Sequence, residues 1–316
     1  MTANATLFDS LKNALEHSVN TVVASKFYQY LLTLPVIKRI AILTGLGLLA
    51  LSCLMGSLYL VFGKIVVIGF IASILAGLAT GVGALPALFF KQISNNLFNS
   101  ILGAAAGVML AATAFSLLVP GIDYANQLWP GKGIYLISAG MLIGAWFLHA
   151  ADKHLPHVHF DSIDNDQLNT LNKVGLFIMA ITLHNFPEGL SVGVSFGADQ
   201  MKNGIVLAIA VALQNIPEGL AVALPLVGIG VNKWRAVGIA TLTGLVEPMG
   251  GLLGVTMVTV IEPIMPIAMG FAGGAMLFVI SEEIIPETHA KGRSRYATFA
   301  LMIGFIVMMI LDNMLG

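Results

Sequence analysis

Nine stretches of roughly 20 apolar residues recur along the chain, near residues 40–62, 65–90, 97–119, 133–151, 172–196, 204–226, 236–260, 264–285 and 296–314. About 20 residues of α-helix cross a hydrocarbon core of about 30 Å, and a backbone in lipid must satisfy its own hydrogen bonds. The chain is therefore expected to be an all-α integral membrane protein, a bundle of about nine transmembrane helices. Composition agrees, with 57% apolar and only 10% charged residues, against about 25% charged in soluble chains. A formal net charge of -1 argues against a nucleic-acid partner, which demands a basic stripe. The single cysteine, Cys53, excludes an internal disulfide and a thiolate cluster. The first apolar stretch starts too late for a secretory signal peptide and reads as a retained helix. Residues 1–38 are read as a cytoplasmic N-terminal segment and residues 39–316 as the transmembrane domain.

Cytoplasmic loops carry the excess of Lys and Arg. With nine spans and the N-terminus inside, the inner segments hold Lys12, Lys26, Lys38, Arg39, Lys91, Lys153, Lys173, Lys233, Arg235, Lys291, Arg293 and Arg295. The outer ones hold only Lys64, Lys132 and Lys202. This asymmetry predicts a cytoplasmic N-terminus and an outside C-terminus. Small residues recur four apart as Gly77/Gly81, Gly103/Gly107, Gly140/Gly144, Gly189/Gly193, Gly250/Gly254 and Gly270/Gly274. They are read as helix-packing positions, where lipid leaves close backbone approach to hold spans together.

The chemistry lies in a repeat. His184-Asn185-Phe186-Pro187-Glu188-Gly189-Leu190 returns as Gln214-Asn215-Ile216-Pro217-Glu218-Gly219-Leu220. His184 and Glu188, like Gln214 and Glu218, are four apart and share a helical face. Each proline removes a hydrogen-bond donor and clashes one turn back, freeing the carbonyls of Leu183 and Leu213. Glu247-Pro248 repeats the device and frees Gly244. A kinked or broken helix at membrane depth lines a cavity or an ion site.

Charge decides what that site holds. An intramembrane carboxylate costs several kcal/mol unless paired, protonated or ligating a cation. No Lys or Arg falls within the spans away from their edges, so Glu188, Glu218 and Glu247 have no basic partner. Imidazole, carboxylate and amide oxygen suit a divalent transition ion such as zinc, cadmium, iron or manganese, and the missing thiolates disfavour Cu(I).

At these residues the chain resembles the ZIP family of divalent metal transporters, and most of all its bacterial GufA-type branch. The resemblance also covers the segment from Gly107 to Ser116 and Ser281-Glu282-Glu283-Ile284-Ile285-Pro286-Glu287-Thr288-His289, so it runs from about Gly103 to the C-terminus. It implies an eight-helix core plus one extra N-terminal helix, in a bacterial inner membrane. It implies a binuclear transport site, one position lined by His184, Glu188, Gln214, Glu218 and Glu247 with Met109, the second by Asn185, Asn215 and shared glutamates. Members of this branch often carry an aspartate where this chain has Asn215, a departure that weakens the second position. The resemblance further implies zinc as the main cargo, movement toward the cytoplasm, a homodimer, and sliding of the motif-bearing helices against a fixed scaffold.

Asp123 and Asp312 fall near the expected outer face, where carboxylates attract a cation before entry. The expected inner loop, about residues 152–171, is rich in His and Asp. His149, His154, His157 and His159, with Glu282, Glu283 and His289 near the inner end of the eighth span, form a possible exit route. The rival from another class is an intramembrane metal-dependent enzyme or a metal sensor. It fits less well, because the chain has no H-E-x-x-H helix and no nucleophile beside His184. A carrier of a small organic cation would leave His184, Gln214 and Asn185 without a purpose.

Overall fold

The computed structural model describes residues 26–90, 94–153, 167–197, 201–289 and 294–315. Every regular element among them is helical. The chain divides into two compact units, Met1–Leu60 and Val61–Gly316.

In the first unit, α1 (Lys26–Thr33) turns at Pro35 into α2 (Val36–Phe62), whose latter end reaches the unit boundary. The turn is tied by Arg39, whose guanidinium donates to the carbonyl oxygens of Leu31, Leu32 and Leu34 at 3.1, 3.1 and 3.3 Å. A helix end leaves carbonyls without partners, and a cation nearby satisfies them.

The second unit comprises α3 (Lys64–Ala84), α4 (Asn95–Ala111), α5 (Val119–Leu128), α6 (Gly133–Lys153), α7 (Gln167–Ser195) and α8 (Met201–Gly228), followed by α9 (Lys233–Gly244), α10 (Glu247–Val260), α11 (Met265–Val279), α12 (Ile285–His289) and α13 (Ser294–Leu315). Eight helical stretches among the described residues are long and apolar enough to cross a membrane. The remaining expected span is α7, with 29 residues, ample for a bilayer at 1.5 Å per residue. Its apolarity is diluted by His184, Asn185, Pro187 and Glu188 themselves. The helix begins at Gln167 rather than near 172, so Lys173 lies inside it, eleven residues and about 16 Å of rise before His184. Likewise α6 runs on to Lys153, so both ends of the expected loop at 152–171 are helical.

Two helices carry π turns, Ala112–Leu118 after α4 and Ile280–Ile284 after α11. Each is followed two residues on by a proline, Pro120 and Pro286. Proline lacks the N–H and crowds the carbonyl four back, so a widened turn before it relieves the helix. Pro187 and Pro217, by contrast, sit inside uninterrupted α-helices. Of the three motif prolines, only Pro248 stands at a break, where a turn at Leu245 and Val246 separates α9 from α10. Asn232 caps α9 by accepting from Trp234 N and Arg235 N. Lys233 Nζ donates to Leu88 O at 2.5 Å, closing the short 3-10 turn Leu85–Leu88 that ends α3.

The helices pair as α3 with α8, α7 with α10, α4 with α13 and α6 with α11. The first two pairs, with α9, form one group, since α3 also packs on α9 and α10. The other two form a second group with α5 against α6. The expected packing glycines sit at these crossings. A Cβ on Gly103 or Gly107 would meet the α13 backbone, one on Gly140 or Gly144 the α11 backbone, and one on Gly189 or Gly193 the α10 backbone. Among the described glycines, every such backbone-to-backbone approach falls within a group. The groups meet mainly through α4 with α8 and α7 with α11.

Candidate metal centre

The repeat places its polar side chains on two adjacent helices of one group, α7 and α8, and the helix break adds a third wall. Asn185 and Glu188 on α7, Gln214, Asn215 and Glu218 on α8, and Glu247 as first residue of α10 are all buried. His184 is half-buried. Glu247 opens α10, and the first turn of a helix is where negative charge is favoured.

The glycine after each motif glutamate explains how the walls come so close. A Cβ at Gly189 would overlap the Glu247 carbonyl oxygen, and one at Gly219 the Thr80 carbonyl oxygen. The backbone of α10 therefore passes directly beside Glu188, and that of α3 beside Glu218. Glu188 lies in the electric field of Glu218 and Glu247, and Glu247 in that of Glu218. The three carboxylates are thus buried within electrostatic reach of one another.

Their surroundings leave much of this polarity unsatisfied. Both amide atoms of Asn185, both oxygens of Glu188, both amide atoms of Gln214, Oδ1 of Asn215 and Oε2 of Glu247 are buried without a well-formed hydrogen bond, although the Gln214 amide lies beside the Glu188 carboxylate. Buried polar groups are ordinarily paired, and each orphan costs about 1–3 kcal/mol, more when charged. Lys173 lies at the seventh residue of α7, and the other described Lys and Arg stand in the first or last turn of a helix or outside the helices, as Lys64 opening α3, Lys202 second in α8, Lys233 opening α9 and Arg295 second in α13. Such a concentration of oxygen atoms fits a cation. Among the described residues, no three His, Cys, Asp or Glu side chains converge on their own to hold a metal, so a coordination sphere here would need amide oxygens such as those of Asn185 or Gln214 as well.

One side chain is already engaged. Asn215 Nδ2 donates to Glu247 Oε1 at 2.5 Å and to Ala76 O on α3 at 2.8 Å. Sequence reading missed α3 as a wall of the site. Its contributions are a main-chain carbonyl at Ala76 and the buried, unpartnered hydroxyl of Thr80, and a carbonyl has no signature in sequence. Ser191 Oγ, donating to the Glu188 carbonyl at 2.6 Å, was missed too.

The outlying candidates fare unevenly. Met109 is fully buried on α4, in the other group, packed with Ala106, Leu148, Ala275, Val279 and Ile280. Asp123 is exposed, while Asp312 is half-buried and accepts a 2.5 Å bond from Ser116 Oγ in the first π turn. Nearby in sequence, Tyr124 donates to Glu262 at 2.6 Å, a pair with no sequence signal. His149 is exposed and meets the edge of Phe278, ring centroids 6.2 Å apart. Glu282 is exposed and Glu283 falls in the second π turn, with His289 ending α12. His154, His157 and His159 lie outside the described residues.

A membrane-spanning helical bundle with a carboxylate- and amide-lined site between motif-bearing helices is the architecture of a membrane transporter for a cation. The family model for the ZIP zinc transporter matches residues 161–312. The zinc transporter GufA of Myxococcus xanthus is 43% identical over 251 residues, covering 78% of this chain and 99% of that protein. The zinc transporter ZIPB of Bordetella bronchiseptica is 44% identical over 241 residues, 75% of this chain and 78% of that one. The zinc transporter ZupT of Corynebacterium glutamicum is 32% identical over 253 residues, 75% and 95% respectively. The chain belongs to the ZIP family, and is a metal transporter, not an enzyme.

Proposed function

We propose that the protein carries zinc across a bacterial inner membrane into the cytoplasm, binding it between α7, α8 and α10. His184, Glu188, Gln214 and Glu218 are the principal ligands, Glu247 and Asn185 complete the oxygen-rich wall, and Met109, packed in the opposing group, joins the set by family likeness alone. The observation that carries this reading is the cluster of buried oxygen and amide atoms at Asn185, Glu188, Asn215 Oδ1 and Glu247 Oε2 that lack a well-formed hydrogen bond. Cadmium, iron and manganese share the ligand preference and are secondary cargo. The Lys and Arg asymmetry supports a cytoplasmic N-terminus, and the homodimer rests on family likeness.

The packing supports a sliding mechanism. Every residue of the set except Met109 belongs to the group of α3, α7, α8, α9 and α10. Glycine crossings lock that group internally and leave the seam with the other group to side chains. An ion bound on α7, α8 and α10 would then travel with them as a body.

The test is zinc uptake into liposomes holding the purified protein, with an indicator trapped inside. Saturable entry above protein-free vesicles is expected, and zinc bound without entry would overturn the transport reading. Protons compete with a metal for imidazole and carboxylate, so the zinc affinity of the detergent-solubilised protein should weaken roughly tenfold or more from pH 7.5 to pH 5. Equal affinity at both values would remove His184 and the glutamates from the ligand set.

A further inference from the structure

We infer that Asn215 is a strut and not a metal ligand: its amide holds Glu247 against α3 and closes the second metal position, so that the site takes one ion. The inference rests on the site proposed above and concerns its occupancy.

The two partners of the amide fix its orientation. Glu247 Oε1 and Ala76 O both accept, so the NH2 side must face them. Turned over, Asn215 would set Oδ1 against two oxygens at hydrogen-bond distance, which is repulsive. The side chain is fully buried, and it joins α8 to α3 and to the first residue of α10. Glu247 is left with Oε2 and Asn215 with Oδ1, which lies across the amide carbon from the Nδ2 that meets Glu247. An ion bridged by Glu247 and residue 215 would need oxygen from both. At this edge it would meet N–H hydrogens instead.

Aspartate at the same place reverses the argument. It has no donor, and it would press a carboxylate onto the Glu247 oxygen and the Ala76 carbonyl. Only a cation between them relieves that repulsion. Asn215→Asp should therefore create a second position, whereas Asn215→Ala, which frees Glu247 without adding a ligand, should leave one ion, bound more weakly.

The experiment counts zinc per chain by equilibrium dialysis and elemental analysis on purified wild type, Asn215→Asp, Asn215→Ala and Glu218→Ala. Cadmium X-ray absorption then looks for a metal-to-metal distance of about 3.5–4 Å, the spacing of two-metal sites. One zinc in the wild type and two in Asn215→Asp, with the metal-to-metal signal in that variant alone, is the expected result. Two zincs in the wild type, or one in a properly eluting Asn215→Asp, overturns the strut. If Asn215→Asp does not fold, the wild-type count and its cadmium spectrum decide alone. Absence of zinc from the wild type, or full binding by Glu218→Ala, overturns the site itself and the inference with it.

Discussion

Replacing Glu218 by alanine should cut zinc uptake into liposomes by more than about a hundredfold, and Glu188→Ala should do the same. Removing even a partner that only orients a metal ligand costs about 10–100-fold in affinity or activity, and these carboxylates are proposed to touch the ion. The loss would not reflect a broken fold. Glu188 and Glu218 are buried beside each other and beside Glu247, so deleting one removes repulsion and desolvation cost from the metal-free protein. The metal-free variants should melt at or above the wild-type temperature in detergent. Zinc at about 100 times its dissociation constant stabilises the wild type by about 2.7 kcal/mol, and this increment should vanish in the variants. Wild-type uptake by both would show that the ion passes elsewhere.

The second large effect belongs to Gly219→Val. A Cβ there overlaps the Thr80 carbonyl oxygen and comes within 3.0 Å of Ala84 N, and a main chain inside a helix cannot step aside as a flexible side chain can. Separating α3 from α8 would also pull Ala76 O away from Asn215. The variant should lose more than about 3 kcal/mol, beyond the usual range for single substitutions, and elute as aggregate. Gly238→Ala on α9 is the control, because nothing lies within 4 Å of a Cβ there. It should be neutral or gain up to about 1 kcal/mol from helix propensity. Thermal stability followed by size-exclusion chromatography separates the two, and a monodisperse, wild-type melt for Gly219→Val would refute the contact.

Much of this was legible because lipid forces a one-dimensional code. Spans must be long and apolar, so eight show as hydropathy, and α7 announces itself by the polar residues that dilute it. The repeat was legible for the related reason that His184, Glu188, Gln214 and Glu218 are expensive in a membrane and share helical faces. What escaped is pairwise and distant in sequence. Nothing in the order of residues links Asn215 to Ala76 or Ser116 to Asp312, and a main-chain acceptor looks the same at every position. Helix continuity through Pro187 and Pro217 escaped as well, since the same residue breaks the chain at Pro248. The expected exit histidines were read from composition alone, and composition does not say which side chains meet.

The two copies of the repeat lean on different neighbours, Gly189 on α10 and Gly219 on α3. Duplicated motifs so placed are free to drift apart, because each answers to its own counterpart. A bulkier residue in place of Gly189 has to be compensated around residues 247–251, and one in place of Gly219 around residues 80–84. Over the history of such a chain, the resemblance between the halves should erode at the helix backs while each half keeps step with the surface it rests against.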